Sequence, residues 1–329
     1  MLILYFLIFL CQYIYINYIL KINNSKLVKS TYTYKLIENF SDNNIKLNQV
    51  QEATIYSTNR KVKKVIIFLS GGYSLEYHFY INKIMNDLLV EYSDLMNNYE
   101  LICYEKLDKT SFDIKEDVYN YIVDLNNKLN IEELILFGFS AGGVVASHIM
   151  NKLKQFKFKK KIITYNTPWQ VYLNVDSFKN NLIYRFDIIF FWRVHGVYSN
   201  HYNYNEIKDL LVNKNKSSLA YWQTRSVSGY FKGIDEMKDL IQNVHKCSFD
   251  QFFEMTGFNY DQTEDTEVYN IYSTKDPICI YEVHKKYFDE NKHRIKFKNI
   301  NIEKNTIGHC SDLAFSTEYL KDIIKILNS

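Results

Sequence analysis

The pentapeptide Gly138-Phe139-Ser140-Ala141-Gly142 constrains the fold of this chain more than any other segment. An apolar run at residues 131–137 precedes it and has the length and composition of a buried strand. Residues 143–150 follow it with the pattern of a helix. Two glycines around a serine allow a sharp turn between a strand and a helix that pack closely. The pattern predicts a strand-turn-helix unit with the Ser140 hydroxyl at its apex.

Strands and helices alternate along most of the chain, which predicts a mostly parallel sheet covered by helices. Two earlier strands, at 31–37 and 53–58, are expected to open the fold as an antiparallel pair. The later strands are expected at 65–69, 101–104, 131–137, 161–165, 267–273 and 295–302, and the helices at 77–92, 113–129, 143–150, 278–288 and 312–327.

The alternation is interrupted between about residues 170 and 263. This interval is too long for a simple connection and must contain structure of its own. It includes an apolar, aromatic run at 182–192, with further helical patterns at 207–211 and 237–244. We predict a helical cap inserted between two strands. The apolar run fits contact with a lipid, and it fits equally the buried side of a cap helix.

The first 20 residues carry no charged side chain, and that length can cross a bilayer. No basic segment precedes them and no cleavage site of small residues follows, which favours an uncleaved membrane anchor over a removed signal peptide. We therefore predict an anchor at 1–21, a linker at 22–30 and one domain at 31–329.

The orientation of this anchor stays open. Lysines follow the apolar stretch, and the positive-inside rule then puts the body of the protein on the cytoplasmic side. Three N-x-S sequons point to the opposite side of the membrane. They begin at Asn23, Asn39 and Asn215.

Composition excludes several classes of protein. The 40 basic and 37 acidic residues nearly cancel, so there is no electrostatic case for binding nucleic acid. Five cysteines without a C-x-x-C pair argue against a disulfide framework or a zinc site. The histidines lack metal-ligand spacing, so neither a metal nor a cofactor is expected. The sequence leaves the oligomeric state open.

From about residue 31 to its end the chain resembles the α/β-hydrolase superfamily. The resemblance is carried by G-x-S-x-G between a strand and a helix, by Gly71-Gly72 after an apolar strand, and by Asp276 and Gly308-His309 after two later strands. It implies an α/β fold with a mostly parallel sheet flanked by helices. It also implies a catalytic triad in the order nucleophile, acid and base, which would be Ser140, Asp276 and His309.

The resemblance also implies an oxyanion hole formed by backbone N–H groups. One donor would be Ala141, the residue after the nucleophile, and the other would come from Gly72 or Tyr73. Many lipases and esterases have His-Gly-Gly in this loop, whereas this chain has Ser70 in place of the histidine. The identity of the second donor therefore stays open.

This family likeness implies a serine hydrolase that cleaves carboxylic esters through an acyl-enzyme and needs no cofactor. The predicted anchor and the aromatic cap favour lipid or acyl-chain esters. The same triad could instead act on thioesters or amides, or transfer the acyl group to an acceptor other than water. A membrane-tethered binding module that kept the fold and lost turnover is the alternative from a different class.

Several other charged residues are weaker candidates for the site. Asp312 is expected to open a helix, and Asp261 and Asp265 precede a strand rather than follow one. Cys310, beside the histidine, is expected to be a packing residue. The lysine-rich segment 152–161 is expected to be a solvated loop at the sheet edge opposite Ser140, with contact to anionic lipid as the alternative.

Overall fold

The computed structural model describes residues 27–39, 46–69, 71, 77–105, 115–169, 258–261, 265–276, 279, 281–294, 299–307 and 316–329. In these residues the strands are β1 Val28–Asn39, β2 Lys46–Ser57, β3 Lys64–Leu69, β4 Tyr99–Glu105, β5 Glu133–Phe139, β6 Lys159–Tyr165, β7 Thr266–Lys275 and β8 Asn299–Ile307. The helices are α1 Tyr77–Glu91, α2 Ser93–Met96, α3 Lys115–Leu129, α4 Ala141–Lys152, α5 Tyr281–Asn291 and α6 Tyr319–Leu327.

The eight strands form one sheet in the order β1-β2-β4-β3-β5-β6-β7-β8. The β1–β2 and β2–β4 pairs are antiparallel, and every later pair is parallel. The predicted antiparallel opening and the mostly parallel sheet are both confirmed. Because β3 to β8 run in one direction, their carboxyl ends share one edge of the sheet and their amino ends share the other.

Helices cover both faces of the sheet, which explains why the central strands are apolar on both sides. Successive side chains of β3 point to opposite faces. Ile66 and Phe68 pack in a cluster with residues of α1 and α6, whereas Val65, Ile67 and Leu69 pack in a cluster with residues of α3 and α4. The continuous apolar run in the sequence is therefore buried against two helical layers.

The last strand and the last helix differ from the sequence prediction. β8 begins at Asn299 and continues to Ile307, later than the predicted 295–302. It is an edge strand with one neighbour, and its Glu303 and Asn305 are exposed, so its polar half did not stand out as a strand. α6 begins at Tyr319 rather than at residue 312, after a bend and a turn at residues 317–318.

The prediction of a solvated lysine loop was wrong for its last part. Lys160 and Lys161 lie in β6 and are 0% and 1% exposed. The Nζ atom of Lys160 donates to Asp265 Oδ2 at 2.6 Å, and that of Lys161 donates to the carbonyl of Ile326 at 3.1 Å. Burial lowers the pKa of Lys161, an effect that nearby Glu133 opposes. These partners are remote in sequence, so local composition could not reveal them.

The predicted anchor at 1–21 lies outside the described residues, as does most of the predicted cap. Within the described part of the chain, no helix has both the length and the apolar character needed to cross a membrane. β1 begins at Val28, inside the predicted linker.

Candidate active site

Ser140 is the single residue between β5 and α4. Its φ of 49° and ψ of −128° place it in a region that residues with a side chain rarely occupy. Two hydrogen bonds hold this turn: the Ser140 N–H donates to the Tyr165 carbonyl at 2.9 Å, and the Gly143 N–H donates to the Ser140 carbonyl at 3.1 Å. A strained serine at a strand-to-helix apex is the geometry of a nucleophile elbow.

Close contact between β5 and α4 requires a glycine at position 138. A Cβ atom built on Gly138 would lie 2.3 Å from the backbone nitrogen of Gly143. Backbone atoms at that distance cannot move aside without disturbing the helix. The sequence prediction that strand and helix pack tightly around Ser140 therefore has a direct steric basis.

Gly71, two residues after β3, lies directly beside Ser140. A Cβ atom built on Gly71 would lie 2.5 Å from the Cβ of Ser140 and 2.4 Å from the carbonyl oxygen of Phe139. Gly72 and Tyr73, the candidates for the second oxyanion donor, lie outside the described residues. Ala141 is the first residue of α4, so its N–H lies outside the hydrogen-bond ladder of the helix.

Asp276 directly follows β7 and is 5% exposed. Its N–H donates to the Ser273 carbonyl at 3.3 Å, and its Oδ1 accepts a hydrogen bond from the Cys279 N–H at 2.9 Å. β6 lies between β5 and β7, so Ser140 and Asp276 emerge two strands apart at the same edge. The structure thus brings both residues to the carboxyl edge of the sheet.

The sequence matches no known protein-family model and no curated protein. Solved structures nevertheless resemble the chain. An esterase from Pyrococcus furiosus has a TM-score of 0.52 at 12% identity, over 93% of this chain and 92% of the esterase. A fungal esterase from Rhizomucor miehei has a TM-score of 0.52 at 13% identity, over 93% of this chain and 84% of the esterase. The chain has the α/β-hydrolase fold. The expected fold is confirmed.

Within this α/β-hydrolase fold, the predicted base follows the last strand in sequence. His309 lies outside the described residues. β8 is parallel to β7 and ends at Ile307, so its carboxyl end belongs to the edge where Ser140 and Asp276 emerge. The assignment of His309 as the base stays a prediction, as does the triad as a whole.

Two weaker candidates for the acid have partners elsewhere in the α/β-hydrolase domain. Asp265 accepts the hydrogen bond from buried Lys160 at the amino end of β7. Asp261 pairs with Arg294 at 2.8 Å. Asp312 and Cys310 lie outside the described residues. Among the residues that are described, no cluster of three or more His, Cys, Asp or Glu side chains could hold a metal ion.

An aromatic cluster lines the hydrolase fold just beyond β6. The ring of Trp169 lies 4.4 Å from that of Phe258, 4.7 Å from that of Phe288 and 5.8 Å from that of Tyr272. Burial raises the pKa of the Tyr272 phenol well above its usual 10, so it stays neutral. The Phe258 N–H donates to the Trp169 carbonyl at 2.9 Å, so these two residues, far apart in sequence, are direct neighbours.

Sequence reasoning missed Asn166, which directly follows β6. Its φ of 47° is left-handed, and its side chain is buried. Asparagine after a strand is a signal for such a conformation. The signal was hidden because this chain is rich in asparagine, and most asparagines need no special explanation.

Proposed function

We propose that this protein is a serine hydrolase that cleaves carboxylic esters, with Ser140 as nucleophile, His309 as base and Asp276 as acid. One observation carries the proposal: Ser140 occupies a strained one-residue turn between β5 and α4, with the Gly71 loop against its Cβ. The esterases of the same fold from Pyrococcus furiosus and Rhizomucor miehei give it further support.

In the proposed reaction, Ser140 Oγ attacks the acyl carbon of the ester while His309 accepts its proton. The resulting oxyanion is stabilised by the N–H of Ala141 and by a second N–H from Gly72 or Tyr73. The imidazolium then protonates the leaving alcohol, and an acyl group remains on Ser140. A water molecule activated by His309 hydrolyses this acyl-enzyme and restores the serine.

The contacts of Asp276 suit the role of the acid. The Cys279 N–H donates to one oxygen of this carboxylate and so fixes its direction. A buried and oriented carboxylate can hold an imidazole in one tautomer and stabilise its protonated form.

We further propose lipid or acyl-chain esters as substrates, and a membrane tether formed by residues 1–21. The uncharged N-terminal stretch and the apolar run at 182–192 support both proposals. Positive charge after the stretch favours a cytoplasmic body. Protease protection of the full chain in sealed membranes tests this orientation, because complete digestion from the outside would place the body there.

A fluorophosphonate probe tests the catalytic role of Ser140. We expect the full-length protein to be labelled and Ser140→Ala to be unlabelled. Ser147→Ala is a matched control, because Ser147 is a buried serine within α4 whose hydroxyl donates to the Val144 carbonyl and accepts from the Asn259 N–H. No labelling of folded wild type would contradict the proposed enzyme and favour a binding module. Equal labelling of wild type and Ser140→Ala would contradict Ser140 as the nucleophile.

The role of the acid is tested by Asp276→Asn against Asp261→Asn. We expect turnover to fall about 10³- to 10⁴-fold in Asp276→Asn, since the imidazole loses its orienting charge. Asp261→Asn should retain wild-type turnover, because Asp261 pairs with Arg294 on the surface. A small effect of Asp276→Asn on turnover would contradict the assignment of Asp276 as the acid of the triad.

A panel of acyl esters, thioesters and amides tests the substrate class. We expect turnover to rise with acyl-chain length among the esters. Activity confined to short soluble esters would contradict the proposal of lipid substrates. Faster turnover of thioesters or amides would indicate a thioesterase or an amidase instead of an esterase.

A further inference from the structure

Asn166 lies between the strand that precedes Ser140 and the strand that precedes Asp276. It directly follows β6, which is the neighbour of both β5 and β7. Its side chain is 1% exposed, and its φ is 47°. Asparagine tolerates this left-handed conformation better than most residues. Position and conformation make Asn166 the central residue at this edge of the sheet.

Three groups of Asn166 bind the chain on both sides of Asp276. Its N–H donates to the Ile271 carbonyl at 2.9 Å, and its Oδ1 accepts from the Ser273 N–H at 2.7 Å. Its carbonyl accepts from the Cys279 thiol, with 3.3 Å between Sγ and O. Ser273 and Cys279 are the same two residues that hydrogen-bond to Asp276. One residue thus holds both ends of the turn that carries the acid.

The same segment is connected to the nucleophile. The Ser140 N–H donates to the carbonyl of Tyr165, which precedes Asn166 by one peptide bond. A continuous set of hydrogen bonds therefore runs from the Ser140 backbone through β6 to the Asp276 turn.

The geometry points to Asn166 as a positioning residue that fixes the place and direction of Asp276 relative to Ser140, an inference that rests on the proposed triad. Asn166 acts through Asp276, because its described contacts are with the backbone and thiol groups around that acid. A carboxylate helps an imidazole only at hydrogen-bond distance and in the correct direction. A displacement of about 1 Å in an active site can lower the rate about 100-fold.

Two substitutions separate the backbone role of Asn166 from that of its side chain. Glycine accepts the φ of 47° without strain, but removes the oxygen that binds the Ser273 N–H. Aspartate keeps an oxygen at the same position and replaces the amide nitrogen with a second oxygen, which adds a negative charge when the group is ionised. That nitrogen has no partner among the residues the structure describes.

Asn130 offers a matched control for the glycine substitution. It has a φ of 53°, is exposed, and lies between α3 and β5, at the amino edge of the sheet. Asn130→Gly makes the same chemical change in the same backbone conformation, far from Ser140. Any loss specific to Asn166→Gly therefore reports on the site.

The experiment measures kcat, KM and the pH profile of kcat for the full chain with p-nitrophenyl butyrate. We expect kcat to fall about 30- to 100-fold in Asn166→Gly with KM within about twofold of wild type. The acidic limb of the profile should move to lower pH, because an imidazolium without a well-placed carboxylate loses its proton more readily. Asn166→Asp should retain kcat within about fivefold, since it keeps the acceptor.

The inference is overturned if Asn166→Gly matches Asn130→Gly in kcat and pH profile, even if its melting temperature is lower. Ser140-dependent activity in wild type would then leave the proposed function standing, whereas folded wild type without such activity would overturn both. If Asn166→Gly does not fold, Cys279→Ala gives the same test by removing the thiol bond to Asn166. We expect it to lower kcat about fivefold with the same pH shift, and an unchanged profile would overturn the inference.

Discussion

Buried carboxylates at the two edges of the parallel sheet have different kinds of hydrogen-bonding and charged partners. At the carboxyl edge, main-chain groups hold Asp276: its carboxylate accepts from the Cys279 N–H, and its own N–H donates to the Ser273 carbonyl. At the amino edge, lysines and carboxylates meet directly. Buried Lys161 lies 3.4 Å from Glu133, which also lies 3.9 Å from Lys159.

This difference follows from what each edge can tolerate. In the proposed triad, a lysine bound to Asp276 would compete with the His309 imidazole for the same carboxylate. Main-chain N–H groups orient a carboxylate without neutralising its charge. At the amino edge the carboxylates orient no catalytic base, so full ion pairs can satisfy them. The two buried lysines of β6, Lys160 and Lys161, accordingly meet their carboxylates at the edge away from Ser140.

Among the variants that test this comparison of the two edges, Gly71→Ala should have the largest effect, because it perturbs the carboxyl edge alone. The added methyl would lie 2.5 Å from the Ser140 Cβ, so serine or loop must shift. We expect turnover and fluorophosphonate labelling of the folded protein to fall about 100- to 1,000-fold. Wild-type labelling rates would show that the loop gives way without disturbing the nucleophile.

Lys161→Met should destabilise the amino edge of the sheet without affecting the reaction at Ser140. It leaves buried Glu133 without its nearest cation and the Ile326 carbonyl without its donor. We expect the free energy of unfolding to fall by about 3 kcal/mol in urea titrations, with the Ser140 labelling rate of the folded protein unchanged. Lys63→Met is the control, because its pair with Glu132 is exposed and should contribute at most about 1 kcal/mol.

A second variant sharpens the same test. Lys161→Met combined with Glu133→Gln removes both charges, so most of the lost stability should return. A double variant as unstable as the sum of both single variants would mean that the two charges do not act as a pair.

A smaller effect is expected from Glu100→Gln, near the amino end of β4. The Glu100 carboxylate accepts hydrogen bonds from the consecutive N–H groups of Asn59, Arg60 and Lys61. Removing its charge should lower the free energy of unfolding by about 1 to 2 kcal/mol, measured by urea titration. Exposed Glu132→Gln serves as the control. Equal losses of unfolding free energy in the two variants would contradict a specific stabilisation of the Glu100 carboxylate by these N–H groups.

The smallest effect is a loss of stability at high pH that originates from Tyr99. Burial, helped by Glu133, raises the pKa of Tyr99 from 10.0 to about 12. Above pH 10 the unfolded chain ionises first, so stability falls as pH rises from 10 to 12. Relative to Tyr99→Phe, the wild type should lose about 1 kcal/mol between pH 8 and pH 11. Parallel stability curves for the two proteins would contradict this.

The sequence was sufficient to predict features that depend on residues close together in the chain. The glycines around Ser140 and the apolar run before it located the elbow, because close packing and burial restrict residue type. It was insufficient where burial depends on remote partners. Lys161 is buried because Glu133 and Ile326 meet its side chain, and β8 is polar because one of its edges is open. His309 and the cap stay predictions.

The pairing of β6 with β7 has a consequence for how the molecule folds. Thr164 Oγ1 donates to Asn270 Oδ1 across 106 residues of sequence, a greater separation than in any other strand pair described in the sheet. Closing so long a segment costs more chain entropy than joining neighbouring strands, and contacts of high separation slow folding. Asp276 follows β7, whereas Ser140 follows β5. The pairing of β6 with β7 therefore joins the part of the sheet that carries Ser140 to the part that carries Asp276. The proposed nucleophile and acid are therefore brought together by the strand pair with the largest sequence separation among those the structure describes.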